Sequence, residues 1–193
     1  ALLSNQFRFQ QVNVKSPSAE FQLKGTRTRV PAFQTDDVQC DVDFEARRGE
    51  FTPNSGETKI ELPIQQYICF MDRFRWYMDD DEIDLLSNRM EQDLPFDFSE
   101  NRAISNFIST HPDQDSLHFL SSSATYRIGD DLLECKGVQS IAVADSRIIP
   151  DSSNVIIRPQ AKMDDLQYAQ IVTNATTKFH YLDSAWIRSK SVV

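Results

Sequence analysis

The sequence predicts a mainly β protein: two stacked β units, solenoid-like or sandwich-like, with one short helix between them. Three observations carry this. Apolar residues recur with period two along most of the chain, clusters of Pro, Asn, Asp and Ser punctuate them at short and even spacing, and part of the pattern returns after about a hundred residues.

Taken in order, the alternation starts with Phe7 and Phe9, then Val12 and Val14, then Phe21 and Leu23. It is cleanest where Val38, Cys40, Val42 and Phe44 interleave with Gln39, Asp41 and Asp43. Successive side chains of a strand point to opposite faces, so each run reads as a half-buried strand. Ile60, Leu62 and Ile64 alternate next, Tyr67 to Met71 is a solid apolar run, and Phe74, Trp76 and Met78 alternate with Arg73, Arg75 and Tyr77. Turns fall at Pro53-Asn54-Ser55-Gly56 and Asp79-Asp80-Asp81. From Ser99 to Thr110 the rhythm changes: Ala103, Ile104, Phe107 and Ile108 follow an i, i+4 spacing behind a Ser99 cap, which predicts a short helix ended by His111-Pro112. Strands resume with Leu117/Phe119, Tyr126/Ile128, Leu133/Cys135, Ile141/Val143, Val155/Ile157 and Phe179/Tyr181, with a turn at Pro150-Asp151-Ser152-Ser153.

The repeat rests on three matches in the same order. Ser16-x-Ser18-Ala19-x-Phe21-x-Leu23 parallels Ser121-x-Ser123-Ala124-x-Tyr126-x-Ile128, Val38-Gln39 parallels Val138-Gln139, and Pro53-Asn54-Ser55 parallels Pro150-Asp151-Ser152. The expected organisation is one module over 1–193, with units at 1–86 and 111–193 and a linker with the short helix at 87–110. Stacking lets each unit cover the other's apolar face and sheet edge.

Composition narrows the function. The 193 residues include only five glycines, and neither G-x-G-x-x-G nor a P-loop string occurs, so loops that bring backbone against phosphate are missing. Acidic residues outnumber basic ones 29 to 20, for a net charge of −9. The basic residues come in ones and twos, which is no footprint for nucleic acid. No apolar run approaches the ~18 residues of a membrane-spanning helix. With no N-terminal signal pattern, the chain reads as a mature or excised piece of something longer. Cys40, Cys69 and Cys135 lie far apart inside apolar patterns, which fits buried reduced thiols, or one disulfide with a leftover thiol, better than zinc.

Tests for chemistry return few candidates. His118 and His180 read as solvent-facing strand residues, and with His111 they show no metal-ligand spacing. Asp79, Asp80, Asp81 and Glu82 offer oxygen ligands of the kind calcium takes, without the loop glycine or ligand spacing of a calcium loop; the other reading is a solvated hairpin turn. Arg73, Arg75 and Tyr77, beside Phe70 and Trp76, suit a surface that stacks bases or sugars, or else core aromatics with snorkelling arginines. The candidate binding surface is therefore Arg73, Arg75, Tyr77, His118 and His180. No serine lies in a nucleophile elbow.

Four segments, LPIQQYICFMDRFRWYMD at 62–79, HPDQDSL at 111–117, VADSRIIPDS at 143–152, and AKM at 161–163 through KFHY at 178–181, resemble, in this order, segments of very large uncharacterised exported proteins of Bacteroidota. The resemblance implies a Gram-negative cell envelope, periplasmic or outer-membrane associated, and a β-rich repeat architecture. The strand-turn rhythm is also similar at fold level to OstA-type lipopolysaccharide-transport modules. A shorter stretch, GVQSIAVADSRIIP at 137–150 followed by Asn154, resembles the flavin-contacting C-terminal part of glucose-methanol-choline oxidoreductases. That match spans some fifteen residues; His118-Phe119 stands where the family has His-Pro, Asn154 lacks its following proline, and the flavin fingerprint is absent. The leading expectation is a non-catalytic structural or ligand-binding module without cofactor. Its partners would be other domains of the parent chain, or a lipid or glycan. The alternative is the substrate-side fragment of a flavin-dependent oxidoreductase.

Overall fold

A computed structural model describes residues 1–89, 104–173 and 180–188. The strands are β1 (Leu2–Leu3), β2 (Arg8–Phe9), β3 (Asn13–Lys24), β4 (Pro31–Asp43), β5 (Arg48–Pro53), β6 (Thr58–Leu62), β7 (Tyr67–Met71), β8 (Arg73–Tyr77), β9 (Glu82–Leu86), β10 (Phe107–Ser109), β11 (His118–Phe119), β12 (Ser123–Arg127), β13 (Leu132–Lys136), β14 (Ile141–Val143), β15 (Ser146–Ile149), β16 (Asn154–Ile157), β17 (Leu166–Thr173) and β18 (His180–Ile187). The fold is mainly β, as the period-two pattern predicts, and its strands join in one antiparallel sheet.

That sheet is folded lengthwise. β4 serves two ladders: Gln34 and Thr35 pair with β6, while Val38–Asp43 pairs with β5. One arm continues β5-β8-β9-β12-β13-β16, and the other β6-β7-β10-β11-β14-β15-β17. The chain adds a hairpin to one arm, crosses, and adds the next to the other. Before β17 it runs back along β16, with Met163 bridging Ile157 and the Asp164 amide donating to the Ile156 carbonyl. The β17–β18 hairpin then follows, with Gln170–Thr173 of β17 pairing with β15. Ladders β7–β10 and β9–β12 cross the 87–110 linker, so segments 1–86 and 111–193 build a single continuous sheet.

Where strands cross the fold line the regular ladder breaks. β3–β4 shifts register around Ala19, and Asp37 takes a left-handed φ of 52°; β17–β18 shifts around Ala169, with Tyr168 and Ser184 left-handed. These are bulges that turn a strand. Backbone groups left over need partners, and buried polar side chains supply them. Asn106 donates to the Ser121 carbonyl and accepts from the Ser121 amide, the Ser121 hydroxyl donates to the Lys136 carbonyl, and the hydroxyls of Thr35 and Thr58 lie 2.6 Å apart.

The core fills the fold. On one arm the inward row runs Cys40, Phe51, Phe74, Leu85, Ala124, Cys135 and Val155. The facing row runs Phe21, Thr35, Ile60, Cys69, Phe107, Phe119 and Ile141, and continues along the same face through half-buried Ile148 and Ile171 to exposed Leu182. The Phe51 and Phe74 rings stack at 4.5 Å, with Phe21 4.5 Å from Phe51, and each such buried ring contributes about 1.5–3 kcal/mol. On the outer side of the second arm Phe70 lies under the Arg89 guanidinium, which also pairs with Glu57 and donates to the Ile104 and Ser105 carbonyls.

Opposite the fold line, loops of the two arms meet. Four-residue turns at 44–47, 78–81, 128–131 and 63–66 each end on a left-handed residue: Arg47, Asp81, Asp131 and Gln66. Gln65 reaches from the last of these to the Asp131 carbonyl at 2.7 Å, and the Gln160 and Ala161 amides donate to the Ile64 and Gln65 carbonyls. These bonds lace the mouth shut along the middle of the molecule.

The helix expected over 99–110 is corrected in its second half. Phe107 and Ile108 belong to β10, where Phe107 faces the core between Cys69 and Phe119, and a strand ladder accounts for both residues. Ser99 and Ala103 lie outside the described residues. His111-Pro112 ends no helix; it opens a 3-10 turn at Pro112–Gln114, with the His111 ring accepting from the Asp113 amide. Phe44 leaves the alternation as well, exposed in the turn after β4.

Candidate functional site

The residues singled out for surface chemistry do not converge. Arg73, Arg75 and Tyr77 face outward from β8, because Phe74 and Trp76 take the core side. Arg75 lies across from Glu50 and Asp84, with its Nε 3.4 Å from a Glu50 carboxylate oxygen, and Tyr77 stands between Arg48 and Glu82. This is a charged outer face in which Arg75 has two acid neighbours. His118 faces outward from the other arm, between Ile108 and Ala142, with Nδ1 2.9 Å from the Ser116 carbonyl. His180 opens β18 opposite Thr173.

Asp79, Asp80 and Asp81 form the β8–β9 turn and Glu82 begins β9. Two of the four carboxylates turn to arginines: Asp79 accepts from Arg47 at 2.9 Å, and Glu82 from Arg127 at 3.1 Å. Among the described residues no group of three or more His, Cys, Asp or Glu is placed to hold a metal ion. All three cysteines are free and buried. Burial pushes the Cys69 and Cys135 thiols far above their ordinary range and raises Cys40 as well; protonated, enclosed thiols are poor nucleophiles. Segment 137–150 supplies the crossing from β13, then β14, a turn at Ala144-Asp145, and β15, with Ala142 beside His118.

An apolar cleft lies elsewhere, at the end of the core near β17 and β18. A cavity of about 270 Å³ opens between the arms there. Its walls are Leu117, Val143, Ile148, Met163, Leu166 and Ile187, which are core residues left partly uncovered because the stack of strands ends beside them. Polar groups ring the opening, and most are held by structural bonds. Gln114 donates to the Ala161 carbonyl and accepts from Tyr67, Asp164 takes both sides of the Arg158 guanidinium, and Arg188 pairs with Asp165 while stacking on Trp186. The Asp164 carboxylate raises the Arg158 pKa. His111, Asp113 and Gln160 complete the rim. An apolar pocket with a small set of polar groups at its lip is the ordinary form of a small-molecule site.

Sequence reasoning missed this site, since its walls come from five separate stretches and each residue looks locally like strand core. The only signal was the leading edge of one such stretch, HPDQDSL, which contributes His111, Asp113, Gln114 and Leu117. No family model matches the chain, and no curated protein matches it either. No helix of the described residues is long and apolar enough to cross a membrane.

Proposed function

We propose that the chain is a non-catalytic β module of a large exported cell-envelope protein, and that it holds the apolar part of an amphiphile, a lipid or lipid-linked glycan, at the end of its core. The cavity walled by Leu117, Val143, Ile148, Met163, Leu166 and Ile187 carries this reading. Each methylene moved from water to such a wall gains about 0.8 kcal/mol. The cavity is near the lower bound of ligand pockets, so it suits one short segment of an alkyl chain while a polar head stays at the rim. A non-catalytic role is supported by the rim chemistry: Gln114, Asp164 and Arg188 are committed to Ala161, Arg158 and Asp165. An envelope setting is supported by the resemblance of the four segments at 62–79, 111–117, 143–152 and 161–181.

Native mass spectrometry of the protein purified from its own envelope tests the reading. The expected result is a retained lipid or glycolipid that is lost when Val143→Trp fills the cavity. Protein free of any adduct, or an adduct that Val143→Trp leaves in place, would overturn it.

A further inference from the structure

We propose that a polar groove beside the cavity binds the head of the amphiphile, and that this head is an uncharged sugar rather than a phosphate or a carboxylate. The inference rests on the cavity reading above and deepens it. The groove has a volume of about 370 Å³ and runs between the loop at 150–154 and the start of β17, over an apolar floor of Pro150, Ile156 and Leu166. That volume lies within the ordinary range of ligand sites. Groove and cavity share a wall, since Asp164 and Leu166 line both. An alkyl chain lodged against Leu166 in the cavity thus leaves its polar end beside the groove.

A flat aromatic face comes first among the features that fit a sugar. Regular alternation along β17 would send residue 168 inward with Leu166, but Tyr168 takes a left-handed φ of 56°. The resulting bulge leaves Gln167 and Tyr168 side by side in solvent, with Tyr168 68% exposed. The electron-rich face of such a ring suits the C–H face of a sugar. Beside it stand polar groups with no internal duty. Among the described residues the side chains of Asp151, Asn154 and Gln167 have no hydrogen-bond partner, whereas Gln114, Asp164 and Arg188 at the cavity are committed to Ala161, Arg158 and Asp165. Planar carboxylate and carboxamide groups each present two polar atoms, which suits a pair of neighbouring hydroxyls. Charge then selects the class of head. The groove is lined by three aspartates and, among the described residues, by no Lys, Arg or His. Arg158 and Arg188 neutralise Asp164 and Asp165, and Asp151 keeps its charge without a cationic partner. An anionic head is repelled there, while hydroxyls find acceptors.

Isothermal titration calorimetry of the 193-residue chain with octyl glucoside and with octyl phosphate, each below its micelle-forming concentration, tests the proposal. Octyl glucoside should bind about tenfold more tightly than octyl phosphate. Tyr168→Ala and Asp151→Ala, both at exposed positions, should each weaken octyl glucoside about tenfold, leave octyl phosphate no weaker, and keep the circular dichroism spectrum unchanged. Octyl phosphate bound as tightly as octyl glucoside, or octyl glucoside unaffected by both variants, overturns the sugar assignment. Val143→Trp separates this inference from the cavity reading. If it abolishes binding of two amphiphiles that otherwise bind equally, the cavity stands and the sugar groove falls. If octyl glucoside stays on Val143→Trp and is lost from Tyr168→Ala, the groove stands and the cavity falls; binding of neither amphiphile to the wild type overturns both.

Discussion

The Gln65 side chain donates to the main-chain carbonyl of Asp131 over 2.7 Å, joining two turns that lie 66 residues apart and belong to opposite arms of the sheet. Both residues are buried. Around this bond, Tyr126 donates to the Asp131 carboxylate and the Ala161 amide donates to the Gln65 carbonyl. Every strand on either arm depends on the mouth staying shut, since the core lies just behind it.

Gln65→Ala should therefore cost about 3 kcal/mol, combining an unpaired buried carbonyl with the space left by the side chain. Gln65→Leu, which keeps the volume, should cost about 1–3 kcal/mol. Urea denaturation of both variants measures the difference, and equal stability of Gln65→Leu and wild type would show that the bond holds nothing.

Two glycines with similar backbone angles should respond differently to alanine. Gly137 has φ +72°, and a Cβ there would stand 2.5 Å from the Ser122 hydroxyl; Gly56 has φ +58° with open space around it. Gly56→Ala should cost about 1 kcal/mol for the left-handed backbone alone. Gly137→Ala adds a steric clash and should cost distinctly more, which thermal denaturation of the two variants will rank.

Stability should fall with acid. Hydrogen bonds from Lys59 and Gln34 hold the Glu61 carboxyl below its ordinary value of 4.5, and bonds from Asn54 and Ser18 hold Asp37 below 3.8. A carboxyl with a depressed folded-state pKa stabilises the fold above its unfolded-state value, and that contribution is lost as pH falls through the folded-state value. The melting temperature of wild type should thus drop from about pH 4.5 downward, and Glu61→Gln should show a shallower drop. Parallel curves would contradict this.

Cys40, Cys69 and Cys135 should be silent toward a thiol reagent at pH 8 in the native protein and all three should react in guanidinium. Burial keeps each thiol protonated and out of contact with solvent. Fast native-state labelling of any of them would show that the core opens locally.

Much of this architecture was legible because strand alternation reports which side faces the core. Val38, Cys40 and Val42 are buried where the pattern puts them, and Phe74 and Trp76 turn inward while Arg73, Arg75 and Tyr77 turn outward. The solid run from Tyr67 to Met71 has its cause in the second face: Ile68 and Phe70 are half-buried on the outside, where Arg89 covers Phe70. The spacing of Ala103, Ile104, Phe107 and Ile108 misleads at its last two members, because Phe107 faces the core and Ile108 is half-buried on the other face of β10. The lengthwise fold, the Gln65 bond and the cavity depend on which distant turns come together. No local period encodes that, and a lone glutamine after Pro63-Ile64 carries no mark of its role.

The alternation of hairpins between arms also sets an order of construction. β5 pairs with β4, β6 with β4, β7 with β6, β8 with β5, β10 with β7, and β12 with β9, so each of these strands docks on one that precedes it in the chain. From β4 onward a ribosome releasing this protein delivers each template before the strand that needs it, whereas β1 and β2 wait for β3. Assembly advances in one direction, from the β3–β4 hairpin outward, and what travels along the molecule as it forms is a growing front that, among the described strands, has reached β18.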